Sequence, residues 1–192
     1  MLNPLRALTL GGLLLFSTLG HAAPAAPDAL RIGYQKGSVS MVLEQRYPQT
    51  HISWIEFPAG PQMLEALNVG SIDIGSTGDI PPIFAQAAGA DLVYIGAEPP
   101  KPKAEVILVA QGSPIAELKG KKVAFQKGSS SHNLLLRALQ LAGLKFSDIQ
   151  PVYLAPADAR AAFQQGNVDA WAIWDPYYSA ALLQGGAREL TD

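Results

Sequence analysis

A short string that occurs twice, each time in the same setting, constrains this chain more than any other feature. Tyr34-Gln35-Lys36-Gly37-Ser38 returns as Phe125-Gln126-Lys127-Gly128-Ser129, and each copy follows a β-rich run and opens a helical one. Further correspondences keep the same order. Gly70-Ser71-Ile72-Asp73 returns as Gly166-Asn167-Val168-Asp169 at an offset of 96, and Asp79 falls opposite Asp175 at that offset. Pro58-Ala59 has a rougher counterpart in Pro156-Ala157. Ordered matches in matching contexts predict two similar α/β lobes. Lobes joined by a short connection enclose a cleft, and clefts between lobes are where small ligands sit.

The hydrophobic pattern agrees, because short β-rich runs alternate with helical ones, as in βαβ units with a mostly parallel sheet. Strands are predicted at Leu30 to Tyr34, His51 to Phe57, Ile72 to Ile74, Leu92 to Ile95, Glu105 to Ala110, Lys122 to Phe125, Pro151 to Leu154 and Ala170 to Ile173. Helices are predicted from Ser38, over Met63 to Val69, Pro82 to Ala88, Ser130 to Ala142, Ala157 to Gln165 and Pro176 to Leu183. Glu98-Pro99-Pro100-Lys101-Pro102-Lys103 continues neither helix nor central strand, since its prolines remove donors and fix φ. It marks the boundary between lobes. The expected layout is a leader at 1–22, a lead-in at 23–29, a first lobe at 30–98, the proline-rich crossover at 99–103, and the second lobe with the start of a return segment at 104–192.

The leader is read from Arg6 and the apolar run Ala7 to Leu19, with small residues before a cut after Ala22. Its 13-residue run is short of the roughly 20 residues a membrane-spanning helix needs. An exported, periplasmic protein is expected. Composition narrows the partners. With 14 basic and 16 acidic side chains and a formal charge of −2, the chain offers no basic footprint for nucleic acid. The absence of Cys excludes disulfides, thiolate nucleophiles and Cys-ligated zinc, and with 3 His no metal centre and no cofactor is expected.

The chemistry-bearing residues cluster at helix starts. In both copies of the repeated string, the Gly-Ser step precedes a helix whose first backbone N–H groups lack partners. The hydroxyls of Ser38, Ser129, Ser130 and Ser131 either cap those helices or donate to a guest. A third such loop is Gly75-Ser76-Thr77-Gly78-Asp79, before the helix that Pro81-Pro82 can start. Three loops at strand ends can converge, as open α/β sheets arrange them, into an anion site of dipoles and neutral donors. That suits a guest ionised at every accessible pH, such as a sulfonate, sulfate or nitrate. A second constellation, Trp171-Ala172-Ile173-Trp174-Asp175-Pro176-Tyr177-Tyr178, brings four aromatics and a carboxylate to a strand end. Each Trp either packs in the core or walls an organic group. Asp175 is a helix cap or a partner for a ligand amine, and its place in the repeat favours capping for both Asp79 and Asp175. Catalysis is not expected. Gly75-Ser76-Thr77-Gly78 lacks the spacing of a nucleophile elbow, and Ser131 and His132, adjacent on a helix, do not face each other.

The stretches at 31–38, 53–96, 122–139 and 163–186, with the strings FQKGSSSH and STGDIPP, resemble the periplasmic aliphatic sulfonate-binding proteins of ABC importers. These lie within the wider nitrate, sulfonate and taurine-binding family. The resemblance implies an α/β, type II periplasmic-binding-protein fold: two similar lobes around a ligand cleft, hinge closure, and delivery to an ABC permease in the inner membrane for sulfur acquisition. Carried over by motif, the ligand-binding residues are Gln35, Ser38, Ser76, Thr77, Gly78, Asp79, Gln126, Gly128, Ser129, Ser130, Ser131, Trp171, Trp174 and Asp175. No cofactor and no nucleic-acid partner are implied, and a monomer is expected. Taurine, nitrate or a thiamine precursor is the alternative ligand. Two departures accompany the match: the first helix between Val39 and Thr50 is short, with a smaller shortening at Ser113 to Leu118, and the family's return crossing to the first lobe is not found. The C-terminal part of the first lobe is therefore expected to be missing, with apolar surface left uncovered, and a shortened non-functional copy is a further alternative.

Overall fold

The computed structural model describes residues 29–48, 51–101, 103–113 and 117–190. The leader read at 1–22 and all but Ala29 of the lead-in lie outside the described residues. Two sheets organise the chain. In the first, β1 (Leu30–Tyr34) lies between β2 (Ile52–Glu56) and β3 (Ile74–Gly75), all parallel. Helices α1 (Val39–Arg46) and α2 (Gly60–Asn68) are the crossovers, and α3 (Ile80–Ala87) follows β3.

The second sheet has the order β6-β5-β7-β4-β8, built from β4 (Glu105–Ala110), β5 (Lys122–Phe125), β6 (Gln150–Tyr153), β7 (Ala170–Trp174) and β8 (Ala187–Glu189). β5 runs parallel to β6 and β7, with α4 (Ser130–Leu141) and α5 (Pro156–Gln164) as crossovers. β4 is antiparallel to both β7 and β8, so this sheet is mixed where a mostly parallel one is predicted. Helix α6 (Tyr177–Leu183) joins β7 to β8.

The repeated strings have physical causes that recur in both lobes. In each Gln-Lys-Gly-Ser turn the serine N–H donates to the glutamine carbonyl, at 3.1 Å for Ser38 to Gln35 and 3.3 Å for Ser129 to Gln126. The third position takes positive φ, +79° at Gly37 and +76° at Gly128, which glycine alone adopts without strain. The Gly-x-x-Asp strings end one helix and enter one strand. Gly70 and Gly166 close α2 and α5 with the same pair of bonds, Gly70 N–H to Leu67 and Ser71 N–H to Ala66, Gly166 N–H to Phe163 and Asn167 N–H to Ala162. Each aspartate then clamps the start of the neighbouring strand. Asp73 accepts from the Arg31 N–H at 2.8 Å and donates its own N–H to the Arg31 carbonyl, and Asp169 does the same with Lys122. Arg31 adds its guanidinium to Asp73, at 2.7 Å, and holds that carboxyl at about 2.

Packing follows the pattern. Leu135 and Leu139 of α4 lie one helical turn apart and bury against Ile107, Val109, Val123 and Phe125 on one face of the second sheet. On the other face, Ala159 and Phe163 of α5 bury against Val106, Leu108, Ala124, Trp171 and Ile173. In the first sheet Gly33 and Gly75 are register partners and leave the floor bare, so Met63 of α2 and Ile72 pack directly on the backbone.

Four elements differ from the sequence reading. The third strand is Ile74–Gly75, displaced from the predicted Ile72 to Ile74, because Ile72 turns inward as a core residue. Leu92 to Ile95 is not a strand. It lies outside any ladder, with Val93 83% and Ile95 76% exposed, since among the described residues no strand runs beside it. β8 and a short helix at Phe146–Asp148 are additions that the sequence pattern does not announce.

Candidate functional site

The parallel strands set the site, because β1 and β3 end at one edge of the first sheet, and β5 and β7 end at one edge of the second. The four loops expected to bind ligand leave from those edges, and the edges meet. A methyl group placed on Gly37 would lie 2.8 Å from Cδ of Pro176 and 3.5 Å from the Asp175 carbonyl oxygen. One on Gly78 would lie 3.5 Å from Oγ of Ser130, and one on Gly128 3.6 Å from Cγ of Pro61. Phe84 of α3 stacks on His132 of α4 at 5.9 Å between ring centroids. Gln35–Ser38, Ser76–Asp79, Gln126–Ser131 and the segment ending at Asp175–Pro176 therefore border one another across the lobes.

Within this junction the hydroxyls divide into two kinds. Ser129 is committed to the protein: its Oγ donates to the Gln126 carbonyl at 2.7 Å, shares a bond with Ser131 Oγ at 2.8 Å, and accepts from the His132 N–H as the cap of α4. Ser38 Oγ and Thr77 Oγ1 are sealed from solvent with no hydrogen-bond partner among the described residues. Ser38 stands at the cap position of α1 but makes no capping bond. Thr77 presses against Gly60 at the start of α2, where an added methyl group would lie 2.1 Å from its hydroxyl oxygen. Gln35 ties the two first-lobe loops together, its Nε2 donating to the Ser76 carbonyl at 3.4 Å.

The aromatic segment also divides. Trp171 is 1% exposed and packs in the core between Phe163 and Tyr177, with its Nε1–H unpartnered. Trp174 is half-buried at the end of β7, opposite Glu105 of β4. Asp175 accepts from the Ser179 N–H at 3.3 Å, which caps the first turn of α6. Asp79, unlike Asp175, directly precedes its helix, α3, and makes no capping bond, correcting the expectation drawn from the repeat.

Charge is distributed in a way that the sequence only partly announces. Both repeat lysines are turned to other partners: Lys36 to Glu56 at 3.6 Å, and Lys127 over the Tyr153 ring at 5.7 Å. Glu105, absent from the sequence reading of the site, stands at the start of β4 against Ser130. Burial pushes its carboxyl up, Asp79 adds to that, and the Ser130 hydroxyl opposes it. One signal was available, a carboxylate opening the otherwise apolar run EVILVA. Ser131 and His132 bond elsewhere, Ser131 to Ser129 and His132 Nδ1 to the Gly128 N–H, so they form no dyad. The junction thus combines neutral donors with the carboxyls of Glu105 and Asp79.

Residues 54–187 match the family described as NMT1/THI5 like. An aliphatic sulfonates-binding protein of Escherichia coli strain K12 is 78% identical over 195 aligned positions, gaps included, in a match that covers 96% of this chain and 61% of that protein. Among solved structures, the periplasmic aliphatic sulphonate-binding protein of Escherichia coli is 80% identical with a TM-score of 0.69, over 87% of this chain and 61% of that one. The alkanesulfonate-binding protein of Xanthomonas axonopodis pv. citri, bound to MOPS, is 64% identical with a TM-score of 0.79, over 86% of this chain and 61% of that one. The chain thus spans about 61% of the length of these relatives.

Proposed function

Because the chain belongs to the NMT1/THI5-like family, we propose that it is a solute-binding component of an ABC importer that takes an aliphatic sulfonate between its lobes. In this reading it works in the periplasm and hands the ligand to a permease of the inner membrane. The observation that carries it is the set of unpartnered buried polar atoms. Ser38 Oγ, Thr77 Oγ1 and Trp171 Nε1 have no partner among the described residues, and they fall in three of the four loops or strand ends that the repeat and the family resemblance single out. A buried donor left unmade costs about 1–3 kcal/mol, so such atoms persist where a guest completes them. A sulfonate offers three acceptor oxygens and stays ionised without exchanging a proton. Neutral donors stabilise it, and the repeat lysines, engaged elsewhere, are not required.

The proposed binding set is Gln35, Ser38, Ser76, Thr77, Gly78, Gln126, Gly128, Ser130, Trp171 and Trp174. Ser129, Ser131, Asp79 and Asp175 shape the loops that hold it. Thr77→Val tests the reading. It removes a hydroxyl that has no protein partner while keeping the shape, so the ligand-free protein is expected to hold or gain stability. Affinity for an alkanesulfonate, read by calorimetry, is expected to fall by about 1–3 kcal/mol, roughly 5- to 150-fold. Unchanged affinity, or binding of nitrate in place of sulfonates, overturns the proposal.

A further inference from the structure

His132, which closes the string FQKGSSSH, lies outside the proposed binding set. It stands in the first turn of α4, where its ring stacks on Phe125 of β5 (centroids 4.9 Å apart, planes at 20°) and on Phe84 of α3 (5.9 Å, 16°). Phe146 meets it edge-on at 6.0 Å. Its Nδ1 accepts from the Gly128 N–H at 3.3 Å. A ring nitrogen that accepts carries no proton, so the hydrogen of the neutral imidazole sits on Nε2. Two joints therefore depend on one ring. The Phe84 stack joins the first lobe to the second, and the Nδ1 bond holds the turn in which Gly128 takes positive φ before Ser129.

We infer that His132 is a pH-sensitive positioning residue: neutral, it holds the Gly128 turn and the Phe84 contact together, and on protonation it releases the turn and weakens ligand binding. Once Nδ1 gains a proton, two N–H groups face each other across 3.3 Å, and the turn must move. The surrounding charges favour the neutral ring. Lys127 lies on the adjoining loop and, with burial as the larger cause, holds the imidazole below its ordinary 6.5. Helix α3 brings no charged residue in Ile80–Ala87, with Asp79 at its start. The short helix brings Asp148, which accepts from the Lys145 N–H, and β5 and β6 bring Lys122 and Tyr153. Because the folded value is the lower one, the latch is complete above pH 6.5 and is lost as pH falls below it.

The binding arm of the test rests on the sulfonate reading, and two other arms do not. In the full chain, nitrogen-15 NMR of the imidazoles, sorted with His51→Gln, is expected to show His132 as the Nε2–H tautomer with a midpoint below 6.5. Denaturation should show wild type losing stability from about pH 7.5 to about pH 5 relative to His132→Phe, which keeps a stacking ring but neither accepts nor titrates. With ethanesulfonate, wild-type affinity is expected to fall by about threefold or more over that pH range, while His132→Phe stays level. An Nδ1–H tautomer, a midpoint at or above 6.5, tighter binding at the acid end of the range, or equal pH dependence in both proteins overturns the inference. If ethanesulfonate binds at neither pH, the sulfonate reading fails and the NMR and denaturation arms still decide the role of His132. If His132→Phe does not fold, His132→Gln replaces it, and the wild-type tautomer and midpoint stand alone as the deciding result.

Discussion

Adding one methyl group at Gly37 should cost far more than adding one at Gly70, although the two backbones are alike. Gly37 has φ +79° and Gly70 has φ +70°. Alanine in that region carries about 1–2 kcal/mol of strain. A stiffer unfolded chain offsets about 0.4–1 kcal/mol of it, leaving roughly 1 kcal/mol net at either site. Their surroundings differ. Gly70 has nothing within 4 Å of the added carbon, whereas at Gly37 that carbon lies 2.8 Å from Pro176 Cδ, in a ring with no rotamer to turn aside. Overpacking of this kind costs about 1–3 kcal/mol. Gly70→Ala should therefore lose about 1 kcal/mol and Gly37→Ala about 2–4 kcal/mol, in keeping with the sum of those two terms. Urea titration measures both, and thermal melts should separate the variants by about 2–4 °C per kcal/mol for a chain of this size. Equal losses would refute the contact between the first-lobe turn and the Asp175–Pro176 segment, and with it the meeting of the lobes at this point.

Two further outcomes are expected. Asp73, held at about 2 by Arg31 against an ordinary 3.8, contributes stability that is present above about pH 4 and lost as pH falls through 2. Asp73→Asn should flatten that acid limb in pH-dependent denaturation, and an unchanged limb would remove the clamp from the account. Ser129→Ala deletes the cap of α4 and a buried hydroxyl pair, so it should destabilise by about 1–2 kcal/mol in urea titration, where Ser38→Ala, which loses no bond within the protein, should cost less.

The repeat was legible because it encodes local devices. A turn needing positive φ, a helix stop and an aspartate clamp are each written in four or five residues, and each reappears 91 to 96 positions on. What sequence could not show is what lies alongside. Leu92 to Ile95 carries strong β propensity and forms no ladder, whereas Ala187-Arg188-Glu189, weak by propensity, is a strand because β4 runs beside it. The site divides along the same line. Loop positions followed from the repeat, yet whether a hydroxyl caps its own helix is settled by neighbours. The Ser129 hydroxyl bonds to Gln126, Ser131 and His132, and the hydroxyl of Ser38, its counterpart in the repeat, bonds to none of the corresponding groups. The Trp171 ring, which the sequence leaves open as core or ligand wall, lies in the core with its Nε1–H unpartnered among the described residues, and Glu105, at the start of β4 beside Ser130, stands out in the sequence only as a carboxylate opening an apolar run.

The unpaired run at Leu92 to Ile95 has a colloidal consequence. Val93, Tyr94 and Ile95 form an apolar ribbon open to water, the kind of segment through which chains stick to one another as concentration rises. Its flanks counter that tendency. Asp91 stands before it and Glu98-Pro99-Pro100-Lys101 closes it, so charge repels and proline interrupts any stacking that would spread from it. Solubility at high concentration thus depends on a handful of gatekeepers beside the ribbon, and exchanging Pro99 and Pro100 for threonine should bring on turbidity before it alters the fold.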